Sequence, residues 1–378
     1  MPSLSFKKEA VVHIVYGTVP LKYKIDVSEI DFGQTFRESS FEVKTLHNQS
    51  SFEGSVINQA NPAQFSFNTP LLQEERHKVV LDRLLDCATF DLYISSGQDV
   101  WKLEKCVIQD GTFEINKSRP LRLSISGEAS KLSKHSGAIP GTLQTAGTST
   151  TTYIVPDLSA LTIGSTDISN AVTGISVEIQ NDISWNKYNT LHGATSATNA
   201  TTSQYPENFT VGTRVLAGTI TKYLESNSTS VLTWNSNTSL RLRAGKEVGR
   251  GIASVTLTHA GNAYQSAPTV SFTGGGGSGG AGVGVLNSGA VTSVTITSGG
   301  FGYTSTPIVV FTGGAYLSTA MGTAVLDAEP TIVGIDFNIT NCSFTNRMST
   351  PDIYREEYNW RMTENPTALS SVITYTTT

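Results

Sequence analysis

The chain has 378 residues, a formal net charge of −5 at pH 7 and only 15% charged residues, against about 25% in an average soluble protein. This length allows two or three domains that each bury a core. The acidic balance argues against a surface that grips nucleic acid, and the shortage of charge favours strands and tight turns over exposed helices. No apolar run reaches the roughly 18 residues of a membrane span, so none is predicted.

Residues 1–135 are predicted to form a first β-domain. Val11–Tyr16 and Leu21–Ile25 are short runs of β-branched or aromatic residues, and Leu121–Ile125 alternates cleanly between apolar and polar residues. Such alternation indicates a strand with one buried face. Further strands are predicted at Phe41–Leu46, around Phe65 and Phe67, and in a hairpin made by Asp91–Ser95 and Val100–Leu103.

One amphipathic helix is predicted within this domain, at Gln73–Cys87. Acidic residues occupy its first turn, which suits the helix dipole. Its apolar residues recur at helical spacing, which favours packing on a sheet or barrel over a cofactor site. The stripe consists of Val80, Leu81, Leu84, Leu85 and Ala88.

A second β-domain is predicted to be split between 156–247 and 330–378, after an irregular linker or arm at 136–155. Alternating strands mark both parts. They are predicted around Ile175–Ile179, Val211–Tyr223, Arg241–Arg243, Val333–Ile339 and Tyr354–Met362, where only Glu356 interrupts the apolar face.

The intervening residues, 248–329, contain a repeat. Ile252–Gly275 reappears as Val291–Gly314, at a constant offset of 39 residues. The copies share Val-Thr-x-Thr, a Tyr, Ser-x-Pro and Phe-Thr-Gly-Gly, but no His, Asp or Glu. A fixed period of this size indicates two copies of one supersecondary unit. Because strand and turn residues are what repeat, the segment is predicted to be an inserted β-repeat surface module.

A search for reaction chemistry finds no site. The six histidines lack metal-ligand spacing, and the three cysteines, Cys87, Cys106 and Cys342, are far apart, which indicates buried thiols. Gly276–Gly280 matches a Gly-x-Ser-x-Gly elbow, but no helix follows the glycine run. No catalytic, cofactor-binding or metal residues are therefore predicted, and the protein is predicted not to be an enzyme.

Two features leave other chemistry open. Carboxylate pairs for glycoside cleavage meet only in the fold, and Glu74–Glu75, Asp82 with Asp86, and Glu356–Glu357 are the densest acids. The tryptophans stack on sugars in some proteins, but strand-core positions explain them equally well. They are Trp101, Trp185, Trp234 and Trp360.

Several strand-like segments follow one another in a characteristic order. They are Asn61–Pro70 leading into the helix, Trp101–Asp110, Val172–Trp185, Tyr205–Ile220, Val333–Cys342 and Tyr354–Met362. This order of strands resembles that of the tail tube proteins of long-tailed bacteriophages. It covers about three-quarters of the chain, and the strongest internal parallel joins Trp101–Asp110 to Val333–Cys342. The Tyr-x-Ser-x-Pro repeats also look like modules of virion surface proteins.

The resemblance implies a mainly β protein with two tandem tail-tube-like rolled β-sheet or barrel domains, one amphipathic helix in the first, and an inserted β-repeat domain. It implies a structural subunit of a tail tube, made in the host cytoplasm and located in the virion tail. Stacked rings would enclose a channel through which DNA passes without specific binding. The expected partners are further copies, as a pseudo-sixfold trimer or else a hexamer, and other tail proteins, with no cofactor and no membrane.

Three other functions stay open. The chain fits a tube-initiating or baseplate ring component, or a virion surface adhesin that binds glycans, and a polysaccharide depolymerase ranks last because no site is found. A lumen that conducts DNA is predicted to be acidic or neutral, since basic linings retain polyanions. The candidate lumen acids are Glu178, Asp336 and Glu357, on strand faces opposite the apolar stripe.

Overall fold

The structure is a computed structural model that describes residues 10–43, 52–71, 75–97, 99–116, 119–144, 154–186, 205–224, 237–349, 353–364 and 368–377. In these ranges the chain is mainly β, with one α-helix, as predicted. The elements are β1 (Val11–Tyr16), β2 (Leu21–Ile25), β3 (Glu29–Gly33), β4 (Phe36–Val43), β5 (Phe52–Ala60), β6 (Ala63–Pro70), α1 (Glu75–Asp86), β7 (Phe90–Ser96), β8 (Asp99–Ile115), β9 (Arg122–Ala129), β10 (Lys131–His135), β11 (Thr142–Leu143), β12 (Asp157–Ile163), β13 (Thr166–Asp167), β14 (Val172–Trp185), β15 (Phe209–Tyr223), β16 (Thr238–Glu247), β17 (Ile252–His259), β18 (Thr269–Thr273), β19 (Ser278–Asn287), β20 (Ala290–Phe301), β21 (Ile308–Thr312), β22 (Met321–Leu326), β23 (Ile332–Ser349), β24 (Arg355–Met362), a 3₁₀ turn (Leu369–Ser371) and β25 (Ile373–Thr376).

The chain forms two compact units. The larger, here called the sheet unit, comprises Met1–Leu242 and Asp336–Thr378, and the smaller, the barrel unit, comprises Arg243–Ile335. Strands on both sides of the predicted 136–155 linker therefore lie in one unit. Within that linker β11 pairs in parallel with β2.

The strand β8 belongs to two sheets of the sheet unit. Its first half pairs with β7 and β10, and its second half pairs with β9 and β14. The change occurs at Lys105, whose positive φ of 52° marks a bulge, and its N–H donates to the Asp91 carboxylate at 3.0 Å. Bulges bend a strand and sharpen its twist, which lets one strand serve two sheets. The residue pattern predicted the short run Val100–Leu103 here, and the family resemblance implied a strand at Trp101–Asp110; the observed strand continues to Ile115.

The pairing scheme of the sheet unit occurs twice. In the first set, β3, β6, β9 and β8 lie side by side and antiparallel; in the second set, β14, β15, β24 and β23 do the same. The chain visits the strands of each set in the same order. The flanking pairs also correspond, since β1–β2, β1–β7 and β7–β8 match β12–β13, β12–β16 and β16–β23.

The two sets form one continuous eight-strand sheet because β8 pairs with β14. Ile175 lies opposite Ile115, and Gln180 lies opposite Asp110. The strands β8 and β23 hold equivalent positions, and they contain the two segments that the sequence comparison aligned. The barrel unit is inserted between β16 and β23, where the first set has only the turn between β7 and β8.

Helix α1 lies on the middle of the apolar face of this sheet. It packs on β8, β2 and the 3₁₀ turn, with Val80, Leu81, Leu84 and Leu85 buried as predicted. Gly111 of β8 lies directly beneath Leu84, and a Cβ at that position would overlap the leucine side chain. The glycine therefore sets how closely the helix approaches the sheet.

The barrel unit is a nearly closed six-strand barrel in the order β17-β22-β21-β18-β19-β20, and β17 and β20 lie against each other. The two repeat copies interlock reciprocally. The Ser305 N–H donates to the Gly275 carbonyl at 3.2 Å, and the Ser266 N–H donates to the Gly314 carbonyl at 3.3 Å. Both glycines have positive φ, which explains why each copy ends in glycine.

The pseudo-twofold axis that relates the two repeat copies passes between β18 and β21. Ser271 lies opposite Val310, its own counterpart in the other copy. The repeated tyrosines, Tyr264 and Tyr303, are buried in two core clusters. The repeat is thus used for strand pairing and core packing.

Candidate assembly surface

The eight-strand sheet has one polar face, opposite α1. Along β6, β9 and β14, buried and exposed residues alternate. Side chains that lie directly opposite each other in an antiparallel sheet share a face. One row across the sheet therefore runs through Glu29, Asn68, Ser124, Thr112, Glu178, Ala217, Arg361 and Ser343.

Charge changes sign across this polar face. On the strands β3, β6, β9, β8 and β14, the charged side chains on this face are seven acids and one base, Arg122. The acids are Glu29, Asp31, Asp110, Glu114, Glu128, Glu178 and Asp182. On β24 and β23 the charged side chains are three bases, Arg355, Arg361 and Arg347, and one acid, Glu357. The two ends of the sheet are therefore complementary in charge.

The structure places the predicted lumen acids in three different environments. Glu178 is exposed at the centre of the acidic region and accepts a hydrogen bond from Gln180. Glu357 lies opposite Arg347. Asp336 is half-buried and forms an ion pair with Arg241 at 2.9 Å. Glu178 and Glu357 share the polar face, and whether that face lines a channel stays a prediction.

Both ends of the eight-strand sheet have free edges within the described part of the chain. At one end β3 pairs with β6 alone. At the other, Cys342–Ser349 pairs with β24, whereas β25 and β16 meet β23 before that segment: Val372 contacts Asn338, and Arg241 contacts Asp336. Free edges offer unpaired backbone groups to another chain.

A two-stranded hairpin, β4 with β5, follows β3 and pairs with no other described strand. An isolated hairpin is marginally stable in water. The two strands, of eight and nine residues, therefore need contacts from another chain or another part of this chain to be stable, and the hairpin is a second candidate contact surface.

The last turn of α1 is held by residues of the second strand set. Arg214 on β15 donates to the carbonyls of Leu85 at 2.5 Å and Leu84 at 3.3 Å, and to the Asn181 side chain at 2.8 Å. Asn181 in turn donates to Leu84 O at 3.1 Å. A cation at the C-terminal carbonyls satisfies orphan acceptors and opposes the helix dipole. Sequence reasoning missed both residues, because a lone Arg in a strand carries no local signal for this role.

Among the described residues, the tryptophans and the Glu356–Glu357 pair considered for glycan binding or catalysis do not converge. Glu356 and Glu357 point to opposite faces of β24, and Glu356 is buried and accepts a hydrogen bond from Asn346 at 2.7 Å. Trp185 and Trp360 are buried, Trp101 packs against Phe32, and Trp234 and Glu74 lie outside the described residues. No group of three or more potential metal ligands occurs among the described residues.

The cysteines are free thiols. Cys106 and Cys342 are buried, and Cys87 is half-buried. Burial raises the pKa of the Cys342 thiol to about 12 and raises the pKa of Cys106 well above its ordinary value. Such thiols are structural rather than reactive. No described helix is long and apolar enough to cross a membrane.

Comparison with known proteins adds one match. Residues 3–85 match the family model described as the Bacteriophage Baseplate Tube Protein Family. The matched segment covers β1 to β6 and nearly all of α1. It therefore includes two of the four strands of the first set, β3 and β6, and the helix. No curated protein matches the chain. The match shows a domain of the phage baseplate tube type at residues 3–85, and such a domain is typical of structural proteins of the phage tail or baseplate.

Proposed function

We propose that the chain is a ring-forming subunit of the tube at the baseplate end of a phage tail, where rings enclose the channel for DNA. The observation that carries the proposal is the duplicated four-strand set, joined edge to edge and covered by the helix of the matched segment. The matched family description favours the baseplate end over the shaft of the tube. Stacked rings and contacts to other tail proteins follow from this role.

The duplication supports two tube-like units per chain, one built on 1–135 and one on 156–247 with 330–378. Three chains then supply six four-strand sets in a ring with pseudo-sixfold symmetry. Six chains per ring is the alternative, in which the second set does not form part of the wall. The 248–329 insert has its own closed pairing and core, so it is proposed to lie outside the wall.

The polar face of the eight-strand sheet is proposed to line the channel. The other face packs against α1 and is not available. An acidic lining repels phosphate and lets a polyanion slide, whereas a basic lining binds it through counterion release. The bases on β23 and β24 are balanced in this arrangement by the acids of the next chain.

Negative-stain microscopy combined with mass measurement of the purified chain tests the proposal. Rings of three chains with a central channel are expected at high protein concentration. Hexameric rings would contradict the two-unit wall. A chain that stays monomeric at high concentration, and that is monomeric in virions, would contradict the whole proposal.

A further inference from the structure

From the two free edges of the eight-strand sheet, we infer that neighbouring chains join head to tail by pairing β3 of one chain with Cys342–Ser349 of the next. This inference rests on the proposed ring-forming function and specifies its contact. The partner is a second copy of the same chain. The contact is heterologous, since different edges meet, and a heterologous contact generates a closed ring when its rotation closes.

The template for the contact is already present inside the chain. The strands β8 and β14 join the first set to the second. In spatial order, β8 is the final strand of the first set and β14 is the initial strand of the second. The strand β23 is the counterpart of β8, and β3 is the counterpart of β14. Repeating the internal junction between chains therefore places β23 antiparallel to β3.

The internal junction also limits the register. Side chains must keep their faces, so alternative registers differ by whole two-residue steps along each strand. Two alternatives place all of β3 opposite the free segment Cys342–Ser349. The first sets Glu29 opposite Arg347, Asp31 opposite Thr345, and Gly33 opposite Ser343. The second is shifted by two residues and sets Phe32 opposite Asn346 instead of Phe344, so the first, which pairs the two aromatic rings, is the inferred register.

The side chains at the two edges are complementary in this register. On the polar face, exposed Glu29 meets exposed Arg347, and opposite charges directly across strands stabilise the pair. On the apolar face, Phe32 meets Phe344, and both rings are only half-buried within one chain. Aromatic cross-strand pairs stabilise sheets.

The surroundings of β3 leave room for an incoming strand. A groove of about 710 Å³ is lined by Asp31, Phe32 and Gly33 and by residues of the neighbouring strands β6 and β9, and a second groove of about 780 Å³ is lined by Glu29, Ile30 and residues of β6. The surface beside β3 is therefore open in both places. A strand added at the edge satisfies the free backbone groups of β3.

Disulfide trapping tests directly which residues of β3 and β23 lie opposite each other at the junction. Residues opposite each other in an antiparallel pair have Cα atoms about 4.5–5.5 Å apart, within the range of a disulfide. The double variant Asp31→Cys with Thr345→Cys should form covalent multimers up to the ring size under mild oxidation. The matched control, Asp31→Cys with Ser343→Cys, is shifted by two residues and should form at least about tenfold fewer. The unmodified chain controls for the native cysteines.

Charge exchange tests the complementarity independently. Glu29→Arg and Arg347→Glu should each raise the concentration needed for ring formation about tenfold or more, since like charges then oppose each other. The double variant should restore it to within about threefold of the unmodified chain. Tryptophan fluorescence unfolding of each variant, unchanged from the parent, shows that the chains fold.

The possible outcomes distinguish a failure of the inferred β3–β23 junction from a failure of the proposed ring-forming function. If the unmodified chain forms no rings, the proposed function fails together with the contact. If rings form but the residue 31–345 pair does not cross-link, or cross-links no better than the shifted pair, the inferred junction is wrong and ring formation stands. A double charge variant that assembles no better than the single variants also overturns the junction.

Discussion

The helix α1 depends on an arginine that lies more than a hundred residues further along the chain. In Arg214→Ala, the carbonyls of Leu84 and Leu85 and the Asn181 amide oxygen lose their charged donor. A hydrogen bond to a charged group contributes about 1.5–3 kcal/mol, and two such bonds reach helix carbonyls here. Because Arg214 is half-buried, water recovers part of that loss. We expect the free energy of unfolding to fall by about 3 kcal/mol.

Denaturant unfolding followed by tryptophan fluorescence measures this effect. The barrel unit, Arg243–Ile335, contains no tryptophan, so the signal does not report on that unit. Arg122→Ala is the matched control, because Arg122 is exposed on the opposite face of the same sheet, and its loss should change stability by less than about 0.5 kcal/mol. Arg214→Lys should be intermediate, since lysine keeps the charge but not the planar fork of donors.

A loss below about 1 kcal/mol in Arg214→Ala would refute the reasoning, because it would be no larger than a typical neutral hydrogen bond. An Arg214→Lys variant as stable as the parent would show that charge alone, without the forked geometry, holds the helix end.

Four further predictions follow from the same structure. Gly111→Ala places a methyl group against Leu84 and should destabilise the sheet unit by about 1–3 kcal/mol in the same unfolding assay. At pH 8 a pKa of about 12 leaves roughly one Cys342 side chain in ten thousand as thiolate. Because Cys106 is also fully buried, at most one thiol per folded chain should react with a thiol reagent. Rapid reaction of two or more thiols would contradict this prediction. Deleting 248–329 with a short Gly-Ser bridge should leave ring formation intact, because backbone hydrogen bonds hold the ends of the insert together, and folded chains that no longer form rings would refute it. Assembled rings should bind duplex DNA weakly at physiological salt, and tight binding in a mobility-shift assay would overturn the acidic channel.

Local patterns predicted much of the secondary structure. The bounds of β1 and β2 agree with the sequence runs, and α1 lies within the predicted Gln73–Cys87. The predicted strand Phe41–Leu46 overlaps β4, which begins earlier, at Phe36, and residues 44–46 lie outside the described residues. Alternation also identified β24, although Glu356 on its apolar face is buried beside Asn346 rather than exposed. Period-two and helical patterns are local, so a sequence displays them wherever one face of an element is buried.

The length of β8 was not predictable from such patterns. Its middle residues, around Lys105, break the alternation because a bulge turns the strand from one sheet to another. The requirement for Gly111 is likewise invisible locally, since it comes from a leucine on a helix that crosses the strand. Both depend on the partners of the strand rather than on the strand itself.

The sequence by itself determined a mainly β chain with one amphipathic helix, and it revealed the 39-residue repeat of the barrel unit, because strand, helix and turn preferences act over a few neighbouring residues. Only the tertiary structure decided that two equivalent four-strand sets join through β8 and β14, that Arg214 holds the end of α1, and that the acidic and basic ends of one polar face stand at opposite free edges. These features depend on which distant strands pair and in which register. Pairing is selected by the packing of the whole core, and no short stretch of sequence encodes it.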